Sequence, residues 1–176
     1  AMMEILLLGG PRFLGRALIE AALAAGHHVT MFNRGRTNPQ LFPEVERLHG
    51  DRDSQLDALA GRRWDVVIDT CGYVPRVVRQ SAQLLAPNVG RYIFVSSISV
   101  YREPISPAAA EDAPLAELPD QTVEQVTGET YGGLKALCEQ AVQDVFGERA
   151  LILRPGLIVG PHDPTNRFTY WVTRLA

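Results

Sequence analysis

An apolar run that ends in a glycine turn and opens at once into a helical pattern constrains this chain more than any other stretch. Ile5 to Leu8 is of strand length, and Gly9-Gly10-Pro11-Arg12-Phe13-Leu14-Gly15 follows. Phe13, Leu14, Ala17, Leu18, Ala21, Ala22 and Ala25 then recur at three- and four-residue spacing until Gly26 stops the pattern. Strand, glycine turn and helix form the opening of a dinucleotide-binding unit. There the turn's N–H groups and the positive helix end make an anion site for a pyrophosphate. Gly9 permits the tight turn, and Gly15 lets helix and strand pack closely. The middle position, where a glycine normally admits the phosphates, is Arg12. The same spacing also fits an ordinary βα turn with a glycine at the helix start, so the remaining elements decide.

Those elements alternate. His28 to Phe32 reads as a second strand ending at Asn33-Arg34, Val45 to His49 as a third ending at Gly50-Asp51, and Val66 to Ile68 as a fourth. A helix opens at Pro75 and closes at Pro87, and Arg91 to Val95 is a fifth strand running into Ser96-Ser97-Ile98-Ser99. A further helix runs from about Glu129 to Gly147, Ala150 to Arg154 is a sixth strand, and Leu157 to Val159 reads as a short extension of it. Strands separated by helical segments imply βαβ crossovers, hence a doubly wound parallel α/β sheet, a Rossmann fold. Glu103 to Asp120 breaks the rhythm with Pro104, Pro107, Pro114 and Pro119 and is a long loop, either a lid or a plain surface segment.

Several residues fall at strand ends, where such sheets bind nucleotides. After the second strand an acid would meet a free ribose 2′-hydroxyl, whereas an arginine accommodates a 2′-phosphate. Here the acid is absent, Asn33 ends the strand, and Arg34 and Arg36 flank Gly35; NADP is the expected cofactor, with NAD as the alternative, unless these arginines are solvated loop charges. Asp51 either meets the adenine amino group or caps a short helix through Leu56 and Leu59. Cys71 reads as a small buried cysteine rather than a nucleophile, because no cation or base partner stands near it in sequence.

The 176 residues suffice for one domain with a real core, and 46% apolar with 21% charged is an ordinary globular balance. A net charge of -3 gives no basic excess of the kind a nucleic-acid surface needs. Two cysteines make no disulfide framework, so a reducing, cytoplasmic setting is expected, and no apolar run reaches membrane-spanning length. No metal site is expected. Ala1 before Met2 reads as the scar of a cleaved tag. At the far end, Phe168, Trp171, Val172 and Leu175 open a helix without a cap, so the chain is expected to be truncated.

Tyr131-Gly132-Gly133-Leu134-Lys135 sets a phenol and an ammonium four apart, on one helix face. An ordinary tyrosine pKa near ~10 is too high for a base at neutral pH, and a neighbouring cation favours the phenolate. Such a tyrosine can exchange a proton with a substrate hydroxyl as hydride moves at the adjacent carbon. A serine after the fifth strand would orient the substrate oxygen; Ser97 is the first choice, with Ser96 and Ser99 as rivals.

The glycine turn, the serine cluster, the Tyr131/Lys135 pair and Arg154-Pro155-Gly156-Leu157-Ile158-Val159-Gly160-Pro161 together resemble a short-chain dehydrogenase/reductase of the extended or atypical NAD-dependent epimerase/dehydratase type. The resemblance implies that Ser97, Tyr131 and Lys135 are catalytic. It also implies that Gly9, Arg12, Phe13, Leu14, Gly15, Asn33, Arg34, Asp51 and Lys135 hold the cofactor, and that Pro155 to Ile158 lie along the nicotinamide. It divides the chain into a cofactor-binding domain over 1–160 and the start of a smaller substrate region over 161–176. A small-molecule substrate is implied, a nucleotide sugar among the candidates, as is a homodimer through the helices near Pro75 to Ala86 and Tyr131 to Phe146. Two positions depart from the pattern: Arg12 replaces the middle glycine, and Leu157 stands where many extended members have asparagine. Gly-Gly-x-Arg-Phe-Leu-Gly also resembles an atypical branch that includes chloroplast stem-loop RNA-binding proteins. RNA binding without redox turnover is therefore the alternative function.

Overall fold

The apolar runs pair into one parallel sheet, whose inner strands β1 (Glu4–Leu8) and β2 (His28–Asn33) are buried on both faces as a covered sheet allows, while its edge strands are partly exposed. The computed structural model describes residues 1–175. Its strands are β1 (Glu4–Leu8), β2 (His28–Asn33), β3 (Glu46–His49), β4 (Trp64–Asp69), β5 (Val89–Val95) and β6 (Ala150–Leu153), in spatial order β3-β2-β1-β4-β5-β6. Leu8, the last residue of β1, stands between Phe32 of β2 and Asp69 of β4. The order therefore reverses at β1, and the crevice beyond its carboxyl end is where such a sheet binds ligands.

Helices cover the sheet unequally. Helices α2 (Pro75–Leu85) and α3 (Tyr131–Phe146) pack on one face, where Val78, Ala82, Leu85, Cys138, Val142 and Phe146 join Leu6, Leu8, Val67, Tyr92 and Phe94 in the larger core. Helix α1 (Leu14–Ala24) packs on the other face with Ile19 against Leu7, Val29 and Met31. That second face is bare at β6, where Leu151 and Leu153 are exposed. A last helix, α4 (Arg167–Leu175), buries none of its residues.

Three local expectations are corrected. The short helix expected through Leu56 and Leu59 is a single turn of 3-10 helix, Asp57–Leu59, with Leu56 just before it and Leu56 and Leu59 buried in the core. Leu157 to Val159 is not a strand: Pro155 breaks β6, and both Leu157 and Val159 are exposed. Cys71 does have a cation beside it, since Arg52 Nη1 lies 3.4 Å from its sulfur, and it is half-buried rather than buried; desolvation nevertheless pushes the thiol's pKa up. The proline-rich loop is present and is tied down: the Ala116 N–H donates to Val100, the Arg102 N–H to Pro114, and the Arg154 guanidinium to the Glu111 carbonyl at 2.7 Å. Arg154 in turn pairs with the buried Glu139 at 2.7 Å, anchoring loop, helix and strand together.

Candidate active site

The turn after β1 takes a shape that its glycines permit. Gly9 has φ of 139°, and a Cβ there would overlap the Thr70 hydroxyl. A Cβ on Gly15 would overlap the Gly10 carbonyl oxygen, so α1 sits directly on the turn. The Arg12 N–H donates to Gly10 O at 2.8 Å, and the Gly15 N–H to Arg12 O at 3.0 Å. Phe13, the residue before α1, is held at φ of 46°, a region costly for a residue with a side chain. Among the described residues, the N–H groups of Phe13, Leu14 and Arg16 donate to no acceptor. Three donors thus stand free at the positive end of α1. Arg12 beside them is exposed, and its charge reaches Tyr73, opposing the upward push that burial gives the Tyr73 phenol.

From this turn a cavity of about 540 Å³ runs across the sheet edge. Gly9 and Gly10 line one end, Asn33 to Thr37 and Gly50 to Asp53 its flank, and Cys71, Tyr73, Val74 and Val77 the rest. Its size is that of a small-molecule or cofactor site. Asn33 fastens two of these walls: its Nδ2 donates to Gly9 O at 3.1 Å, and its Oδ1 accepts the Gly35 N–H at 2.7 Å. Arg34 and Arg36 are exposed on the rim. Asp51 does not cap the Asp57–Leu59 turn. Its carbonyl accepts the Ser54 and Gln55 N–H groups, and its Oδ1 accepts the Asp53 N–H at 3.0 Å.

Sequence reasoning missed what lies under the cavity. Arg52 makes a bidentate pair with Asp69, 2.6 Å from Nη1 to Oδ1 and 2.5 Å from Nη2 to Oδ2. Tyr92 donates to Asp69 Oδ2 at 2.6 Å, and Ser81 accepts from Arg52 Nε and Nη2. Asp69, Tyr92 and Ser81 are wholly buried. A signal was available: an aspartate closing the apolar run Val66-Val67-Ile68 demands a partner, because a buried carboxylate is not left unpaired.

The proposed catalytic helix residues meet at the other side of Tyr73. Tyr131 is the first residue of α3 and is half-buried; Lys135, one turn on, is only 3% exposed. Lys135 Nζ donates to the carbonyls of Gly72 and Val95, each at 2.8 Å, and lies 4.2 Å from the Phe94 ring centroid. Burial pushes its pKa below the usual lysine value. The Tyr73 ring, 45% exposed, stands 5.4 Å from that ammonium and 6.5 Å from the Tyr131 ring, and so lies between the first cavity and the Tyr131–Lys135 pair.

The serines divide. Ser97 Oγ accepts the Ser99 N–H and donates to Ser99 Oγ, both at 3.1 Å. Ser99, not Ser97, lines a second cavity of about 620 Å³ together with Tyr131, Arg102, Glu117 and Glu129. Ser96 is buried, and its hydroxyl has no partner among the described residues. Pro155 O accepts the Ile98 N–H at 3.1 Å, which docks the segment after β6 against the serine turn; Ile158 is half-buried beyond it. The structure thus gathers Gly9, Asn33, Arg34 and Asp51 round one cavity, whose lining includes Tyr73, and sets Lys135 and Tyr131 beside Tyr73, with Tyr131 on the second cavity. Arg12, Phe13, Leu14, Gly15, Ser97, Lys135, Pro155 and Ile158 line neither of the two cavities.

No family model matches the sequence. The chloroplast stem-loop binding protein of 41 kDa b from Arabidopsis thaliana is 33% identical over a stretch covering 62% of this chain and 33% of its own length. Among solved structures, the Bordetella bronchiseptica enzyme WbmG in complex with NAD superposes with a TM-score of 0.79 at 19% identity, covering 99% of this chain and 60% of that one. UDP-galactose 4-epimerase superposes with a TM-score of 0.69 at 22% identity, covering 98% and 62%. The chain therefore spans about a third of the curated relative and three-fifths of these enzymes, and it shares the fold of these enzymes. No helix among the described residues is long and apolar enough to cross a membrane.

Proposed function

We propose that this chain is the cofactor-binding core of a nicotinamide-dependent oxidoreductase or epimerase/dehydratase-like enzyme. Its substrate would be a small molecule with a hydroxyl or carbonyl group, a nucleotide sugar among the candidates. The observation that carries this reading is the set of free N–H groups on Phe13, Leu14 and Arg16, beside a glycine cradle that added Cβ atoms would fill. Donors held rigidly at a helix N-terminus are what a pyrophosphate needs.

In this reading the Gly9–Gly15 turn holds the pyrophosphate, and the Arg12 guanidinium supplies charge where related turns have glycine. Arg34 and Arg36 take the 2′-phosphate, which makes NADP the preferred cofactor, and Asn33 holds their loop to the turn. Lys135 spends two ammonium protons on carbonyls and keeps a third for a ribose hydroxyl. Pro155 to Ile158 border the nicotinamide. When bound, the nicotinamide gives or takes the hydride at the carbon bearing the substrate oxygen. Tyr131 takes the proton of that hydroxyl or returns it, and Ser97 orients the oxygen.

Thermal unfolding with NAD and NADP added separately tests the reading. A ligand that binds only the folded state stabilises it by mass action, by about 2.7 kcal/mol at a hundred times its Kd, and so raises the midpoint. A rise with either dinucleotide, larger with NADP, is expected; no rise with either overturns it. The likeness to a chloroplast stem-loop binding protein favours a second reading, RNA recognition on the same fold. Salt-dependent retention of stem-loop RNA without nicotinamide turnover would establish that instead. The net charge of -3 speaks against it.

A further inference from the structure

His49, the last residue of β3, has no part in the roles above, yet its ring packs on the turn that carries Arg34 and Arg36. Strand β3 lies beside β2 with His49 opposite Asn33, and Arg34-Gly35-Arg36 follows Asn33 directly. The contact is made at Gly35. A Cβ there would come within 2.8 Å of both Cε1 and Nδ1 of His49, so the imidazole fills the space that any side chain at position 35 would need. Gly35 also has φ of 70°, a conformation open to glycine. Asn33 fixes the same glycine through its backbone, Oδ1 accepting the Gly35 N–H at 2.7 Å.

Three donor-bearing side chains therefore surround one glycine: Arg34 before it, Arg36 after it and His49 against it. All three are exposed, and among the described residues none of these side chains bonds to another residue. Other arginines are paired, Arg52 with Asp69, Arg62 with Glu46 and Arg154 with Glu139. Arg34, Gly35 and Arg36 line the first cavity, while His49 stands just outside its lining. That placement suits a substituent that leaves the cavity over its rim, not the base or the ribose itself. Two guanidinium forks and an imidazole N–H, all unspent, match the several acceptor oxygens of a phosphate monoester.

Resting on the NADP reading, we infer that His49 is a ligand of the cofactor's 2′-phosphate and helps to select NADP over NAD. Its ring N–H donates to a phosphate oxygen alongside the two guanidiniums. Gly35 admits the imidazole to that position, and the Asn33 bond keeps the turn in place for it.

The ring nitrogen signals of the wild-type chain read the contact directly. There are four histidines, and the His49 signal is the one absent from the spectrum of His49→Ala. Adenosine 2′-monophosphate is expected to move it, and adenosine 5′-monophosphate to leave it in place. His49→Ala is expected to weaken NADP roughly tenfold and to leave NAD unchanged. A His49 signal that stays put while NADP binds, or equal affinities of the variant and wild type for NADP, overturns the role of His49 and spares the dinucleotide site. Inorganic phosphate that moves the signal as far as adenosine 2′-monophosphate does at the same concentration shows a general anion site and overturns the selectivity. Failure to bind NAD, NADP or adenosine 2′-monophosphate at all overturns both readings. Should the alanine variant not fold, His49→Gln supplies the assignment and the affinity comparison.

Discussion

The ammonium of Lys135 meets the carbonyl oxygen of Gly72 at 2.8 Å, joining α3 to the segment just after β4 across 63 residues. The same ammonium holds Val95 at the end of β5. One side chain thus pins the carboxyl ends of the two strands beside Tyr73 and Tyr131. Lys135→Met should leave two carbonyls without their donor, at about 1–3 kcal/mol for each that stays buried. Urea unfolding measures this; a loss under about 1 kcal/mol would mean that water replaces the ammonium.

Asp69 makes stability depend on acid. Burial alone would raise its pKa, but the Arg52 charge and the hydrogen bonds from Arg52, Tyr92 and the Cys71 N–H hold the carboxyl below its usual value. A depressed folded pKa stabilises fully above the unfolded value, near ~3.9, and that stabilisation fades as pH falls through the lower folded value. Asp69→Asn strands a buried guanidinium and should cost about 3–5 kcal/mol at neutral pH. The gap between the two proteins should close below about pH 4, as the wild type protonates the same group. Denaturation curves at several pH values test this, and a gap that does not change with pH would refute it.

Tyr131→Phe keeps the ring beside Tyr73 and removes only the hydroxyl. In the proposed enzyme it should lower turnover by roughly two to four orders of magnitude while leaving dinucleotide affinity unchanged. The measurement is steady-state oxidation or reduction of the nicotinamide, alongside a binding titration. Full turnover by the variant would remove Tyr131 from the chemistry.

Arg34 and Arg36 stand free on the cavity rim, so replacing both by alanine should spare the fold. Hydrogen bonds to charged groups contribute about 1.5–3 kcal/mol, so NADP should bind roughly ten- to a hundredfold more weakly in the double variant. NAD should change little. Equal weakening of both cofactors would show that the arginines do not read the 2′-phosphate.

Legibility in the sequence followed the range of the interactions. Gly9 and Gly15 could be read because backbone geometry at a tight turn depends on the residue that makes it. Tyr131 and Lys135 could be paired because a helix fixes which residues share a face. The helix expected through Leu56 and Leu59 shrank to one turn because three residues gain too few backbone bonds to continue without packing. Cys71 was misread, since its cation arrives from Arg52, 19 residues earlier, along a path no local pattern reports.

By itself the sequence determined the alternation of strands and helices, the parallel sheet and the glycine turn at its first crossover, because hydropathic period and backbone freedom are local properties. Only the tertiary structure decided which side chains face one another once those elements are packed. It gave Asp69 the guanidinium of Arg52, spent the Asn33 amide on Gly9 and Gly35, and turned Lys135 onto two strand ends. Each of these follows from one physical requirement: a polar group drawn into the interior must find its partner there, and strand order chooses the partner.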